Sequence, residues 1–219
     1  MTDAAARAAI EAPRPPVTPD PPTPKGRDTR DRLLAAATTL FAERGYAGVR
    51  ITDITKEAGL SGGAFYRYFT DRREIMLVLL QDLTDEAFEF IRVPWDDTDP
   101  MDAVMRSTEL YFTFYESHRA LFGLLAELGQ TDPEVSALWA RARQAFYSRF
   151  AHVLRRGVES DRLRAGVNVE VAAEMICGMT EFYAFQRYAL RDGVVTAVTP
   201  REAARTLAEI WASGILRQP

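Results

Sequence analysis

The chain has 219 residues, 47% of them hydrophobic and 26% charged, with a formal net charge of −4, a balance that suits globular folding and excludes a fibrous or wholly disordered chain. No run reaches the ~18 apolar residues of a membrane span, and the first residues lack the apolar core of a secretory leader. The single cysteine, Cys177, excludes an internal disulfide, and together these features lead us to expect a cytoplasmic protein without membrane contact.

The net acidity conceals a division. From Lys25 to Glu74 there are ten basic and seven acidic residues, a local charge of +3, whereas Ile75 to Pro219 carry 15 basic and 21 acidic, or −6. That asymmetry suits a protein touching phosphate at one end only, although a few charges also fall within chance variation.

In chain order, residues 1–24 come first and hold seven of the twelve prolines. They carry too little apolar surface to offset their ordering entropy and are expected to be disordered. Lys25, Gly26 and Arg27 end this tail, either as an arm reaching a DNA groove or as a solvated terminus. Beyond it the pattern is helical throughout, and the predicted fold is all-α with about nine helices. Leu33, Ala37, Leu40 and Phe41 recur at helical spacing, and Gly45 supplies the stop. Later helix starts are marked by Asp99-Pro100 with Asp102, Asp132-Pro133 with Glu134, and Thr199-Pro200 with Glu202. Each sets a capping side chain before a first-turn proline and a carboxylate where the helix dipole favours it. No alternating strand pattern and no internal repeat is found.

The informative stretch runs from Ile51 to Phe69. Ile51, Ile54 and Ala58 form one face of a short helix, and Gly59 permits the positive φ of a sharp turn. Leu60 packs at that turn, and Ser61 is placed to cap a second helix. This second helix buries Phe65 and Phe69, four apart, and presents Gly62, Gly63, Tyr66 and Arg67 outward. The arrangement matches a helix-turn-helix reader, while spacing alone also allows an ordinary helix pair in a bundle.

The run Thr52-x-Ile54-x-x-x-Ala58-Gly59-Leu60-Ser61-x-Gly63-x-Phe65-Tyr66-x-Tyr68-Phe69, with Phe41 and Gly45-Tyr46 before it, strongly resembles the tetracycline-repressor (TetR) family over about residues 29–77. The resemblance implies a three-helix DNA-binding domain, a linking fourth helix, a helical ligand-binding domain and a homodimer. It divides the chain into the tail 1–24, a DNA-binding domain 25–72 and a ligand-binding and dimerisation domain 73–219. It places Thr52 and Tyr66 on DNA phosphates, Arg50 and Arg72 for backbone contact, Ala64 at the bases, and Ser61, Gly62 and Gly63 among the DNA-binding residues. Ala64 is set to meet a thymine methyl. Tyr68 stands where the family often has histidine. Arg67 is the one long side chain of the second helix able to donate to guanine, or else contacts phosphate or solvent.

Three departures stand out. Arg72 replaces a usual lysine with the charge kept, Gly62 replaces a longer polar residue, and Thr55 stands where alanine is common. The second shifts sequence reading from direct contact toward DNA shape.

The larger part is rich in aromatics at helical spacing, among them Tyr111, Phe112, Phe114, Tyr115, Trp139, Phe146, Tyr147 and Phe150, with Met175, Ile176, Met179, Phe182 and Tyr183 later. Singly these read as core; together they exceed what one bundle needs, and a cavity for a small apolar or amphipathic ligand is expected. Glu116-Ser117-His118-Arg119, Glu134-Val135-x-x-Leu138-Trp139 and Ile210-Trp211 are similar to the actinobacterial ethionamide-resistance-type repressors. That similarity implies a long apolar tunnel lined by Tyr111, Tyr115, Trp139, Phe146, Ile176, Met179 and Tyr183. Ile176 and Met179 stand where amides are frequent, so fewer polar anchors are expected.

In the last helix Ala204, Leu207, Ala208, Trp211, Ala212 and Ile215 make one apolar stripe. It suits a homodimer interface, with packing inside one chain as the alternative. A dimer would read a pseudo-palindromic double-stranded DNA operator through two half-sites.

No HExxH, GxSxG or phosphate-cradling glycine loop is present, the two histidines are far apart, and neither enzymatic activity nor a cofactor is expected. The acidic run Asp96, Asp97, Asp99, Asp102 lacks EF-hand spacing and reads as a linker and a helix cap rather than a metal site. A helical ligand binder without DNA binding is the other alternative, opposed by the intact 51–69 segment.

Overall fold

The computed structural model describes residues 21, 23–93, 99–164, 166–190 and 197–215. Among them are nine α-helices and no strand: α1 (Pro24–Arg44), α2 (Ile51–Glu57), α3 (Gly62–Phe65), α4 (Arg72–Phe90), α5 (Pro100–Ser117), α6 (Arg119–Leu128), α7 (Pro133–Glu159), α8 (Val169–Ala184) and α9 (Pro200–Ile215). The expected tail lies outside the described residues except at its end, where Pro24 already opens α1. There the Thr23 hydroxyl accepts the Gly26 N–H at 3.1 Å.

The helix starts read from sequence are present as drawn. Asp99 accepts from the Asp102 N–H at 2.9 Å, and Asp132 accepts from Glu134 and Val135 at 2.9 and 3.3 Å. Thr199 and Glu202 exchange bonds: the Glu202 N–H donates to the Thr199 hydroxyl at 3.2 Å, and the Thr199 N–H to the Glu202 carboxylate at 2.9 Å. These are local satisfactions of orphan donors, which explains their legibility. Asp96 and Asp97 lie outside the described residues. One element was not expected: α8 passes into a single π-helical turn, Phe185–Ala189, closed by a bond from the Leu190 N–H to the Phe185 carbonyl at 3.1 Å.

The chain divides into two compact units. Among the described residues one comprises 21–84 with 120–138, and the other 85–119 with 139–215. The first holds α1–α3, most of α4, α6 and the opening of α7. Its core includes Leu33, Leu40, Ile54, Phe65, Phe69 and Leu80, and every residue from Ile75 to Leu80 is buried, so α4 is enclosed on all sides here. The compact unit thus continues through α4 to residue 84 and takes in 120–138, beyond the expected division after 72.

In the second unit Val104, Leu154, Leu163, Ala173, Ile176, Ala208 and Trp211 form one core cluster. Gly157 makes room for it, because a Cβ there would stand 2.0 Å from Leu163 Cδ1. This cluster corrects the expected dimer stripe. Ala204, Leu207, Ala208 and Trp211 are all buried within the chain, with Trp211 only 2% exposed, and Ala212 and Ile215 pack against the same cluster. α9 lies along α5, and a width of small residues lets the two helices approach closely. An apolar stripe is equally satisfied by its own chain or by a copy of it, and here its own chain covers it.

Candidate nucleic-acid interface and ligand region

The helix pair forms as expected around a glycine turn. Gly59 takes φ +65°, and the Leu60 N–H donates back to the Thr55 carbonyl at 2.8 Å. Phe65 and Phe69 are buried at 0 and 1% exposure with ring centroids 5.6 Å apart, while between them Tyr66 is 64% exposed. Alternate burial at this spacing fixes which side faces out. On that side lie Thr52, Ser61, Gly62, Gly63, Tyr66 and Arg67, all exposed, with Ala64 and Tyr68 half-buried at its edge and Arg50 exposed beside α2. A Cβ at Gly62 or Gly63 would meet nothing within 4 Å, so the protein's own packing does not require glycine there. What the missing side chains leave is clearance for an approaching surface.

Two details differ from the expectations, and a third completes them. Helical geometry ends at Phe65, leaving Tyr66, Arg67 and Tyr68 in the following turn. Ser61 occupies the cap position, but its side chain makes no capping bond. Thr55 is buried, its hydroxyl turned back onto the Thr52 carbonyl at 3.2 Å.

Arg72 is a correction of larger consequence. Its guanidinium donates to the carbonyls of Tyr46, at 3.0 Å, and Val49, and stacks on the Tyr46 ring at 4.2 Å. It braces the loop before α2 rather than standing free for phosphate. Five fixed donors suit an arginine to gather several carbonyls at once. Arg32 acts similarly from α1, donating to the Ala58 carbonyl at 2.5 Å and holding the turn between α2 and α3. Neither clamp was legible in the sequence, since an arginine opposite a bare carbonyl leaves no pattern.

The neighbouring Arg73 was missed as well. It donates to both Asp132 oxygens at 2.9 and 2.8 Å and reaches Glu134 at 2.7 Å. The Arg73 guanidinium beside Asp132 holds that carboxyl below its ordinary range, and the Glu134 and Val135 N–H donors add to the effect. Arg73 itself is pushed well above the ordinary guanidinium range by its bonds to Asp132 and Glu134. Asp132 thus caps α7 and anchors the first turn of α4 with one side chain.

In the second unit the expected ligand residues are partly brought together. Tyr111 packs against Tyr115 at 5.8 Å and Phe146 at 6.3 Å, and Tyr183 meets Phe112 at 5.2 Å. Trp139 lies under the Arg143 guanidinium at 4.8 Å. Two residues are corrected. Ile176 belongs to the Trp211 core, and Met179 is 42% exposed on an outward face of α8 shared with Val171, Met175 and Phe182. A helix of this length presents two apolar faces, and spacing does not say which is enclosed.

The polar centre of this region was not expected. Arg143 donates to Glu181 through Nε at 2.9 Å and through a terminal nitrogen at 2.6 Å. Arg143 does share a helix face with Trp139 and Phe146, which the spacing of four and three could have indicated. Burial drives the Tyr111 phenol well above its ordinary value, and burial with the Glu181 charge does the same for Tyr115. Burial pushes the Cys177 thiol up to about 12, again with help from Glu181. These groups stay protonated and neutral near pH 7. No group of three or more histidine, cysteine or carboxylate side chains set to hold a metal occurs among the described residues.

An all-α chain with an outward-facing helix-turn-helix in one unit and an aromatic-lined bundle in the other has the architecture of a bacterial transcription regulator. Residues 33–79 match the sequence model of bacterial regulatory proteins of the tetR family. The transcriptional regulator EthR of Mycolicibacterium smegmatis is 27% identical over 199 residues, covering 88% of each chain. The ketosteroid regulator KstR2 of Mycobacterium tuberculosis has a similar structure, with a TM-score of 0.63 at 24% identity over 86% of this chain and 95% of that one. SmeT of Stenotrophomonas maltophilia, solved with triclosan, superposes with a TM-score of 0.71 at 16% identity, over 87% and 92%. Residues 33–79 thus carry the sequence signature of tetR-family regulators, and over most of its length the chain is similar to the transcriptional regulator EthR. Its relatives are regulators rather than enzymes, and none of its described helices is long and apolar enough to cross a membrane.

Proposed function

We propose that the protein is a ligand-responsive repressor, acting in the cytoplasm, that leaves its operator when a small apolar or amphipathic molecule binds. The observation that carries the DNA half is the side facing out between Ser61 and Tyr68. Two glycines with open space above them and a 64% exposed tyrosine lie over two fully buried phenylalanines. Thr52, Tyr66 and Arg50 contact phosphate in this reading, and Ala64 and Arg67 meet base edges.

The ligand half rests on the aromatic group Tyr111, Tyr115, Trp139, Phe146 and Tyr183, and the SmeT complex with triclosan supports a small ligand. Ligand acts only through its differential affinity for the two states, typically about 1–3 kcal/mol.

The working form is a homodimer on a pseudo-palindromic operator, its recognition segments about 34–36 Å apart. The surface we assign to the dimer is the outward face of the last two helices, Val171, Met175, Met179, Phe182 and Ile210, 42 to 70% exposed. Val171, Met175, Met179 and Phe182 recur at helical spacing on one face of α8, and apolar side chains this large and exposed call for a partner.

Fluorescence anisotropy with labelled operator DNA tests the reading. Affinity falling steeply with salt, and weakened by Tyr66→Ala at unchanged stability, is the expected result. Binding insensitive to both salt and Tyr66 would overturn it.

A further inference from the structure

The Arg143–Glu181 pair lies beside the Tyr111–Tyr115 aromatic group, and its two members are unequally placed. The Glu181 side chain is 17% exposed, whereas Arg143 is 43% exposed on a long flexible stem. Arg143 lies over the Trp139 face at 4.8 Å while forking onto Glu181. A cation against an aromatic face and a carboxylate is the arrangement by which proteins hold guanidinium and ammonium groups. Here the chain's own arginine fills it.

Resting on the ligand-responsive reading above, we propose that this cage is the ligand's polar subsite and takes a cationic head group. The head replaces the Arg143 guanidinium on Glu181 and Trp139, and the apolar body lies along Tyr111, Tyr115 and Phe146. The argument for a cation over an anion is an asymmetry of desolvation. Displacing Arg143 releases a half-exposed, flexible cation into water. An anion claiming Arg143 would strand the Glu181 carboxylate unpaired among aromatic rings, which is strongly unfavourable.

Burial raises the Tyr111 and Tyr115 phenols, with the Glu181 charge raising them further, so both rings stay neutral and add polarisable faces without adding charge. The ligand class is therefore an amphipathic amine, guanidine or quaternary ammonium compound rather than a neutral lipid or a carboxylate.

Isothermal titration calorimetry of the full chain with decyltrimethylammonium, decanol and decanoate, each below its micelle concentration, tests this. Expected is a Kd for the ammonium at least tenfold lower than for decanol, with decanoate weaker than decanol. Glu181→Gln should weaken the ammonium at least tenfold and leave decanol within about twofold. Arg143→Met, which removes the competing cation, should tighten the ammonium at least threefold. Should Glu181→Gln fail to fold, the three-probe comparison on the unaltered protein and the Arg143→Met variant still decide. Decanol binding as tightly as the ammonium, decanoate binding best, or Glu181→Gln without effect would overturn the cationic subsite while leaving an apolar pocket intact. No binding by any of the three would overturn both readings. Operator release by the same probes, followed by anisotropy, separates binding from regulation.

Discussion

The helix-turn-helix segment and the aromatic region use the same residue types in opposite ways. Around Ser61–Phe69 the buried phenylalanines are structural, and the working surface is what burial leaves outside. Around Tyr111–Tyr183 the working groups are themselves enclosed, and their chemistry depends on partners from helices far apart in sequence. An outward surface therefore follows from helical spacing alone, whereas an inward one depends on how helices are laid together.

The sharpest test contrasts the buried stripe of α9 with the exposed face of α8. Trp211→Asp places an unpaired charge in the Trp211 core and should unfold the chain, with a loss of several kcal/mol. Met175→Asp, on the exposed face of α8, should instead dissociate the proposed dimer and leave the melting of the monomer nearly unchanged. Analytical ultracentrifugation and thermal denaturation read the two; a folded monomeric Trp211→Asp would restore the inner stripe as the interface.

Next in size is the pair of neighbours Phe65 and Tyr66. Removing the buried ring by Phe65→Ala should destabilise by about 3–5 kcal/mol and abolish operator binding through unfolding. Tyr66→Ala should change stability by no more than about 0.5 kcal/mol yet weaken DNA binding at every sequence alike. Urea denaturation beside anisotropy distinguishes them, and equal destabilisation by both would erase the contrast between inner and outer faces.

Smaller, and dependent on pH, is the Asp132 clamp. Asp132→Ala removes a helix cap and the partner of Arg73, for an expected loss of about 1–2 kcal/mol at neutral pH. The folded-state pKa of Asp132 is depressed, chiefly by Arg73. Its contribution is therefore complete above the ordinary carboxylate pKa of about 4 and is lost as pH falls through the folded value. Stability curves of the wild type and Asp132→Ala should converge in acid; parallel curves down to pH 2 would deny the clamp its ionic character.

The least effect is expected from raising pH. Because burial holds Tyr111 and Tyr115 well above the ordinary phenol range, ligand affinity should stay flat from pH 7 to about pH 9, as judged by calorimetry. A step in affinity with the absorbance of phenolate would show that these rings are open to water.

By itself the sequence determined the all-α class, the capped starts of α5, α7 and α9, the glycine turn at Gly59 and the outward side of the helix-turn-helix segment. Each of these is set within about one helical turn, by a cap, a φ preference or a period of 3.6. Tertiary structure alone decided that Arg72 braces a loop, that Arg73 meets Asp132, that Arg143 finds Glu181, and that Trp211 points inward while Met179 points out. Those outcomes join residues 23 to 59 positions apart, or choose between two apolar faces of one helix. Local pattern carries no information about such choices, because an arginine or an apolar stripe is satisfied by whichever partner packing brings within reach.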